Sequence, residues 1–127
     1  MWFVVILLIV AALVMLFFVW KMSRGRSLPA AVRQRLMEAF RQLEQIPDVH
    51  RRVMEAEKII DHALITLGFQ GTFGEKLKKA GPRFADVDAV WRAHKLRNRI
   101  AHEQGVLVTP TDADTAVAAF RKGVSDL

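Results

Sequence analysis

The feature that most constrains this chain is its first twenty residues. From Trp2 to Trp20 no side chain carries a charge, and the run is made almost entirely of Val, Leu, Ile, Phe and Ala. As a helix rising ~1.5 Å per residue, about twenty such residues reach roughly 30 Å, the hydrocarbon thickness of a bilayer. Trp2 and Trp20 stand where interfacial aromatic residues belong. A buried core helix would carry a polar face, and none exists here. A cleaved signal peptide would open on basic residues and end at a small-residue site. Nothing basic precedes Trp2, and Val19-Trp20-Lys21 is not such a site. Residues 1–20 therefore read as a transmembrane anchor. Lys21, Arg24 and Arg26 follow at once, with Arg33 and Arg35 close behind. The positive-inside rule then predicts an outside N-terminus and a cytoplasmic C-terminal domain.

All 19 Lys and Arg and all 13 Asp and Glu fall after Trp20, so the net charge of +6 belongs to the remainder of the chain. A basic excess suits an anionic partner, nucleic acid or acidic lipid. Solubility together with positive-inside anchoring explains the same excess more plainly. The absence of cysteine excludes disulfides, thiolate catalysis and Cys-based zinc sites, and fits a reducing compartment.

Residues 21–27 read as a short basic linker, and residues 28–127 as one helical domain. Leu28 to about Ile46 carries Val32, Leu36, Ala39, Phe40, Leu43 and Ile46 three or four apart, the mark of one buried helix face. Pro29 is tolerated in the first turn, and Pro47 stops the run. A second helix is expected from about Val49 to Leu67, behind an Asp48 cap and closed by Gly68, with Val53, Ala56, Ile60, Ala63 and Leu67 inward. Thr72-Phe73-Gly74-Glu75 has the form of a capping box and opens a short helix through Ala80. A further helix spans Asp86 to about Glu103, and a short extended connection leads to a last helix capped by Thr109-Pro110-Thr111-Asp112. That helix carries Ala116, Val117, Phe120 and Val124 inward. The prediction is an all-α protein: a transmembrane helix, then an antiparallel bundle of four long helices and one short one.

Polar chemistry is densest in Trp91-Arg92-Ala93-His94-Lys95-Leu96-Arg97-Asn98-Arg99-Ile100-Ala101-His102-Glu103. At ~100° per residue, His94, Asn98 and His102 share one stripe. Arg97 lies about 140° around the helix from His102, so a straight helix does not aim both at one point. A long Arg side chain, fraying towards Gly105, or a second subunit would have to reconcile them. The bland alternative is a solvated helix face with Asn98 and His102 bonded locally.

Arg97, four intervening residues and His102, with the Arg97-Asn98 doublet near the end of the penultimate long helix, resemble the Arg-x(4–6)-His motif of the HEPN superfamily. Ala56-Glu57-Lys58-Ile59-Ile60-Asp61-His62-Ala63-Leu64, Phe73-Gly74-Glu75-Lys76-Leu77-Lys78 and Trp91-Arg92-Ala93-His94-Lys95 extend the likeness, which covers about residues 45–125. They look like small bacterial membrane-anchored proteins with HEPN-like tails. The resemblance implies a nucleotide- or nucleic-acid-binding helical domain in the bacterial inner membrane, dimeric through the helix that bears Arg97 and His102. In its catalytic form it implies a metal-independent endoribonuclease. His102 would move the proton of the ribose 2′-hydroxyl. Arg97 would hold the scissile phosphate, and Asn98 would orient one or the other. His94, Lys95 and Arg99 would bind substrate. The alternative it leaves open is a non-catalytic adaptor for RNA, nucleotide or a protein at the membrane. Some toxin members carry a Tyr soon after the His; this chain has no Tyr, and Glu103 follows.

Other candidates are weaker. Asp61-His62 beside Glu57 could form an acid–His group, but His62 better suits a helix surface. His50, Arg51 and Arg52 read as solvated. Lys76, Lys78 and Lys79 suit RNA or lipid head groups, or simply a charged helix. No His and carboxylate spacing calls for a metal, and no cofactor is expected.

Overall fold

A computed structural model describes residues 1–23 and 25–127; Arg24, one of the juxtamembrane cations, lies outside them. Among the described residues the chain is all-helical, with no strand. Helix α1 spans Trp2–Ser23 and is followed by α2 (Ala30–Leu43), α3 (Val49–Thr66), α4 (Phe73–Ala80), a 3₁₀ turn (Gly81–Arg83), α5 (Val87–His102) and α6 (Pro110–Asp126).

From Trp2 to Lys21, helix α1 has no buried face. That stretch has a mean hydropathy of 3.2 and none of it is buried. That length and composition suit a membrane span, and a signal sequence would pass the same test.

The four long helices of the domain build a bundle whose directions follow from a few contacts. The Leu28 amide donates to the Leu127 carbonyl, so the start of α2 sits beside the end of α6. Arg52 pairs with Asp114, which sets the first turns of α3 and α6 side by side. The amide of Ala85 donates to Asp126 Oδ2, which sets the start of α5 against the end of α6. Helices α3 and α6 therefore run parallel as a diagonal spine, and α2 and α5 run antiparallel to both. Small residues let the diagonal pair approach: Ala56 and Ala63 on one side, Ala113, Ala116 and Gly123 on the other, all buried. A Cβ on Gly123 would stand 2.8 Å from Ile60 Cδ1 and 3.2 Å from Phe84 Cε1, so only glycine fits there without a shift. Phe40, Ile60, Leu64, Leu77 and Phe120 fill the rest of the core.

The expected boundaries hold to within a few residues, and the departures have local causes. Helix α2 begins after Pro29, which occupies the cap position, and ends at Leu43 rather than Ile46. The amides of Glu44, Gln45 and Ile46 turn back three residues, to Arg41, Gln42 and Leu43. Pro47 disfavours a helical conformation at Ile46, so the helix tightens and stops early. Asp48 caps α3 by accepting from the amides of His50 and Arg51. The Arg51 amide is the main reason its carboxyl ionises below its ordinary 3.8. At the other end Gly68 takes φ +91°, and the Phe69 amide donates to the Leu64 carbonyl at 3.1 Å, closing a left-handed C-terminal motif. Both arms of the capping box are present at Thr72–Glu75, and again at Thr109–Asp112. Where the sequence pattern shows only the stop at Gly81-Pro82, the chain adds a 3₁₀ turn over Gly81–Arg83, with Pro82 in its first positions.

Candidate functional site

Helix α3 buries Val53, Ala56, Ile60, Ala63 and Leu64 in three- and four-residue steps, and Glu57 sits on that same stripe, 5% exposed. A carboxylate in an apolar stripe needs partners, because leaving it unpaired away from water costs several kcal/mol. The partners come from α5. His94 Nδ1 lies 2.8 Å from Glu57 Oε2, and Arg97 Nε lies 3.2 Å from Glu57 Oε1. Arg97 Nη1 donates to Asn98 Oδ1 at 3.2 Å. Asn98 Nδ2 and His94 Nε2 are 3.2 Å apart, which closes a four-membered network. The Arg97 Nε–H does not point along its contact, so that member is an ion pair without a hydrogen bond.

The hydrogen bonds fix the chemistry of the imidazole by inference. Ionised Glu57 can only accept, so Nδ1 carries the proton; the amide of Asn98 can only donate from Nδ2, so Nε2 accepts. The His94 ring is held in place by Phe73 at 4.9 Å and Trp91 at 5.8 Å between centroids. Helix α4 supplies that wall because its capping box fixes where Phe73 and Gly74 stand. A Cβ on Gly74 would lie 3.7 Å from His94 Nε2. Alanine would fit, whereas any longer side chain would grow over the imidazole. Glycine in a helix costs about 0.5–1 kcal/mol relative to alanine, and here it leaves the approach to Nε2 open.

A cleft of about 450 Å³ opens over this network, lined by Glu57, Asp61, Phe73, Gly74, His94, Arg97 and Asn98 among others. At its edge Lys76, 7% exposed, stands 2.8 Å from Asp61 Oδ1. That contact too is an ion pair rather than a well-aligned hydrogen bond. Among the lining residues the carboxylates of Glu57 and Asp61 are matched by Lys58 and Arg97, and Lys76 pairs with Asp61 at the edge. The cleft holds a group able to take or give a proton, a carboxylate that orients it, a guanidinium beside it, and an amide. Its lining offers neither a thiol nor a free hydroxyl as nucleophile. The chain has no cysteine, and the hydroxyl of Thr72, the one alcohol in the lining, accepts from the Glu75 amide to cap α4. Among the described residues no group of three or more His, Asp or Glu is placed to hold a metal ion.

The structure thus brings together Arg97, Asn98 and His94 of the residues picked out in the sequence, and adds Glu57. It does not bring His102, Lys95 or Arg99 to them. His102 is the exposed last residue of α5, and its side chain has no hydrogen-bond partner among the described residues. Lys95 and Arg99 are exposed, and Arg99 Nε lies 3.6 Å from Glu103 Oε2. With Arg92 they form a stripe, 92, 95, 99 and 102, along the outer face of α5. Asp61 pairs with Lys76 and not with His62, which is exposed. Lys76 is buried rather than offered to a polyanion. His50 is not merely solvated: its Nε2 lies 2.8 Å from the Val106 carbonyl and ties α3 to the connection before α6. Sequence reading set Glu57 only beside Asp61-His62 as a weak acid–His candidate and did not join it to the α5 cluster, although a signal was there. Positions 53, 56, 57, 60, 63 and 64 form one helical face, and Glu57 is its only charge.

No protein-family model, curated protein or solved structure matches the chain.

Proposed function

We propose that the protein is a membrane-anchored, HEPN-like ribonuclease that cleaves RNA without a metal, and that its centre is the Glu57–His94–Asn98–Arg97 network. The observation that carries this reading is an oriented imidazole beside a guanidinium in a cleft whose lining has no thiol and no free hydroxyl. Such a centre suits a substrate that brings its own nucleophile, and the ribose 2′-hydroxyl is one. His94 takes the place that the sequence motif had offered to His102. Its Nε2 accepts the 2′-hydroxyl proton once the substrate displaces the Asn98 amide, and Glu57 supports the imidazolium that forms. The 2′-oxygen attacks phosphorus, the bond to the 5′-oxygen breaks, and that oxygen takes a proton from water. Arg97 stabilises the charge that builds on the phosphate. The products are a 2′,3′-cyclic phosphate and a 5′-hydroxyl. Helix α1 holds this domain at the bacterial inner membrane with its N-terminus outside, in keeping with the cations that follow Trp20.

Full-length protein in nanodiscs should cut single-stranded RNA in excess chelator and leave DNA of the same sequence whole. RNA with a single 2′-deoxy position should resist cleavage 3′ to that position. Cleavage that tolerates 2′-deoxy substitution would contradict the mechanism.

A second reading, a non-catalytic adaptor for RNA at the membrane, draws on a different observation. Arg92, Lys95, Arg99 and His102 present a basic edge to solvent, apart from the inward network. RNA binding that weakens steeply with salt, with no cleavage of any RNA, would favour this reading.

A further inference from the structure

We infer that the bundle does not hang from a free tether but lies on the anionic headgroup layer of the membrane, on the end where α2 begins and α3 finishes. The inference rests on reading α1 as a membrane span. Three contacts pin the linker to the domain as soon as it leaves α1. Arg83 Nη1 donates to the Arg26 carbonyl at 2.8 Å. The Arg83 guanidinium packs so closely on Gly25 that a Cβ there would collide with it. Leu28 is buried, and its amide donates to the Leu127 carbonyl at 3.1 Å. Only Arg24 separates the end of α1 at Ser23 from Gly25. Two residue steps of ~3.8 Å reach no further than about 8 Å, so this end of the bundle cannot leave the headgroup region.

The surface held there suits lipid head groups. Lys21 and Arg26 are exposed on the linker side. Arg83 lies over the Phe69 ring at 5.3 Å, which brings the turn after α3 to the same place. One helical turn before Phe69 is Ile65, 54% exposed; outside α1, it and Leu107 are the exposed large apolar side chains among the described residues. An apolar side chain beside a group of cations is the arrangement that binds an interface rather than bulk water. The acidic groups at this end are mostly engaged: Asp126 accepts from Ala85 and Lys122, and Asp86 caps α5. Asp88, exposed in the first turn of α5, sets the limit of the docking edge on that side.

The chain has no cysteine, so single substitutions can carry a fluorophore at chosen depths. Three full-length proteins in nanodiscs containing anionic lipid test the inference: Thr66→Cys at the docking end, Glu44→Cys at the far end of α2, and Ala11→Cys within α1. A nitroxide on the lipid headgroup should quench the label at 66 several-fold more than the label at 44. A mid-chain nitroxide should quench the label at 11. Equal weak quenching at 66 and 44, with 11 quenched, would overturn docking while leaving the membrane span intact. A label at 11 that escapes quenching would instead overturn the span, and docking with it. Arg83→Ala should bring the quenching at 66 down towards that at 44; no change would show that Arg83 does not hold the linker. Replacing anionic by zwitterionic lipid should lower the ratio of the two signals, and an unchanged ratio would contradict the part given to the cations.

Discussion

The two faces of α5 carry similar residue types and do opposite things. The inner face turns His94, Arg97 and Asn98 into a network around the buried Glu57. The outer face spreads Arg92, Lys95, Arg99 and His102 in solvent, where among the described residues the only side-chain partner is Glu103, 3.6 Å from Arg99. Residue type does not separate a fixed site from a charged surface. What separates them is a countercharge held away from water, because a desolvated carboxylate fixes the groups around it while a solvated cation stays loose.

The largest expected effect comes from removing that countercharge. Glu57→Ala should destabilise the domain by about 3–5 kcal/mol in chemical denaturation, since it strands Arg97 and His94 in a half-buried site. A loss below about 1 kcal/mol would mean that the inner face is no more fixed than the outer one. Thr72→Ala acts on the wall of the same site. It should cost about 1 kcal/mol by removing the α4 cap, and should loosen Phe73 and Gly74 over His94. No change in denaturation would mean that the cap does not hold that wall. Lys95→Ala, on the outer face, should alter stability by no more than about 0.5 kcal/mol. A cost as large as that of Thr72→Ala would blur the contrast between the faces.

The helices, the caps and most of the core were legible in the sequence because each rests on short-range spacing. The three- and four-residue stripes of α2, α3 and α6 and the boxes at Thr72 and Thr109 are local patterns, and local hydrogen bonds enforce them. The site was only half legible. Arg97 and Asn98 stood out by their density in α5, but the group that organises them is 37 positions from His94 along the chain. The helical stripe of His94, Asn98 and His102 was read as one surface, and the structure divides it. His94 and Asn98 lie within the packed length of α5, opposite α3. His102 ends the helix, where the chain turns away towards Gly105. Periodicity gives a direction around a helix and says nothing of where along it the neighbour stops.

The most direct measurement compares RNA cleavage by His94→Ala and His102→Ala, each as full-length protein in nanodiscs with excess chelator. General acid–base catalysis contributes on the order of 10²–10⁴-fold, so His94→Ala should lose about that much. His102→Ala, altered on the outer face, should keep its cleavage rate at saturating RNA and at most bind more weakly. Loss of cleavage in His102→Ala with His94→Ala still active would contradict the assignment and put the chemistry on the outer face.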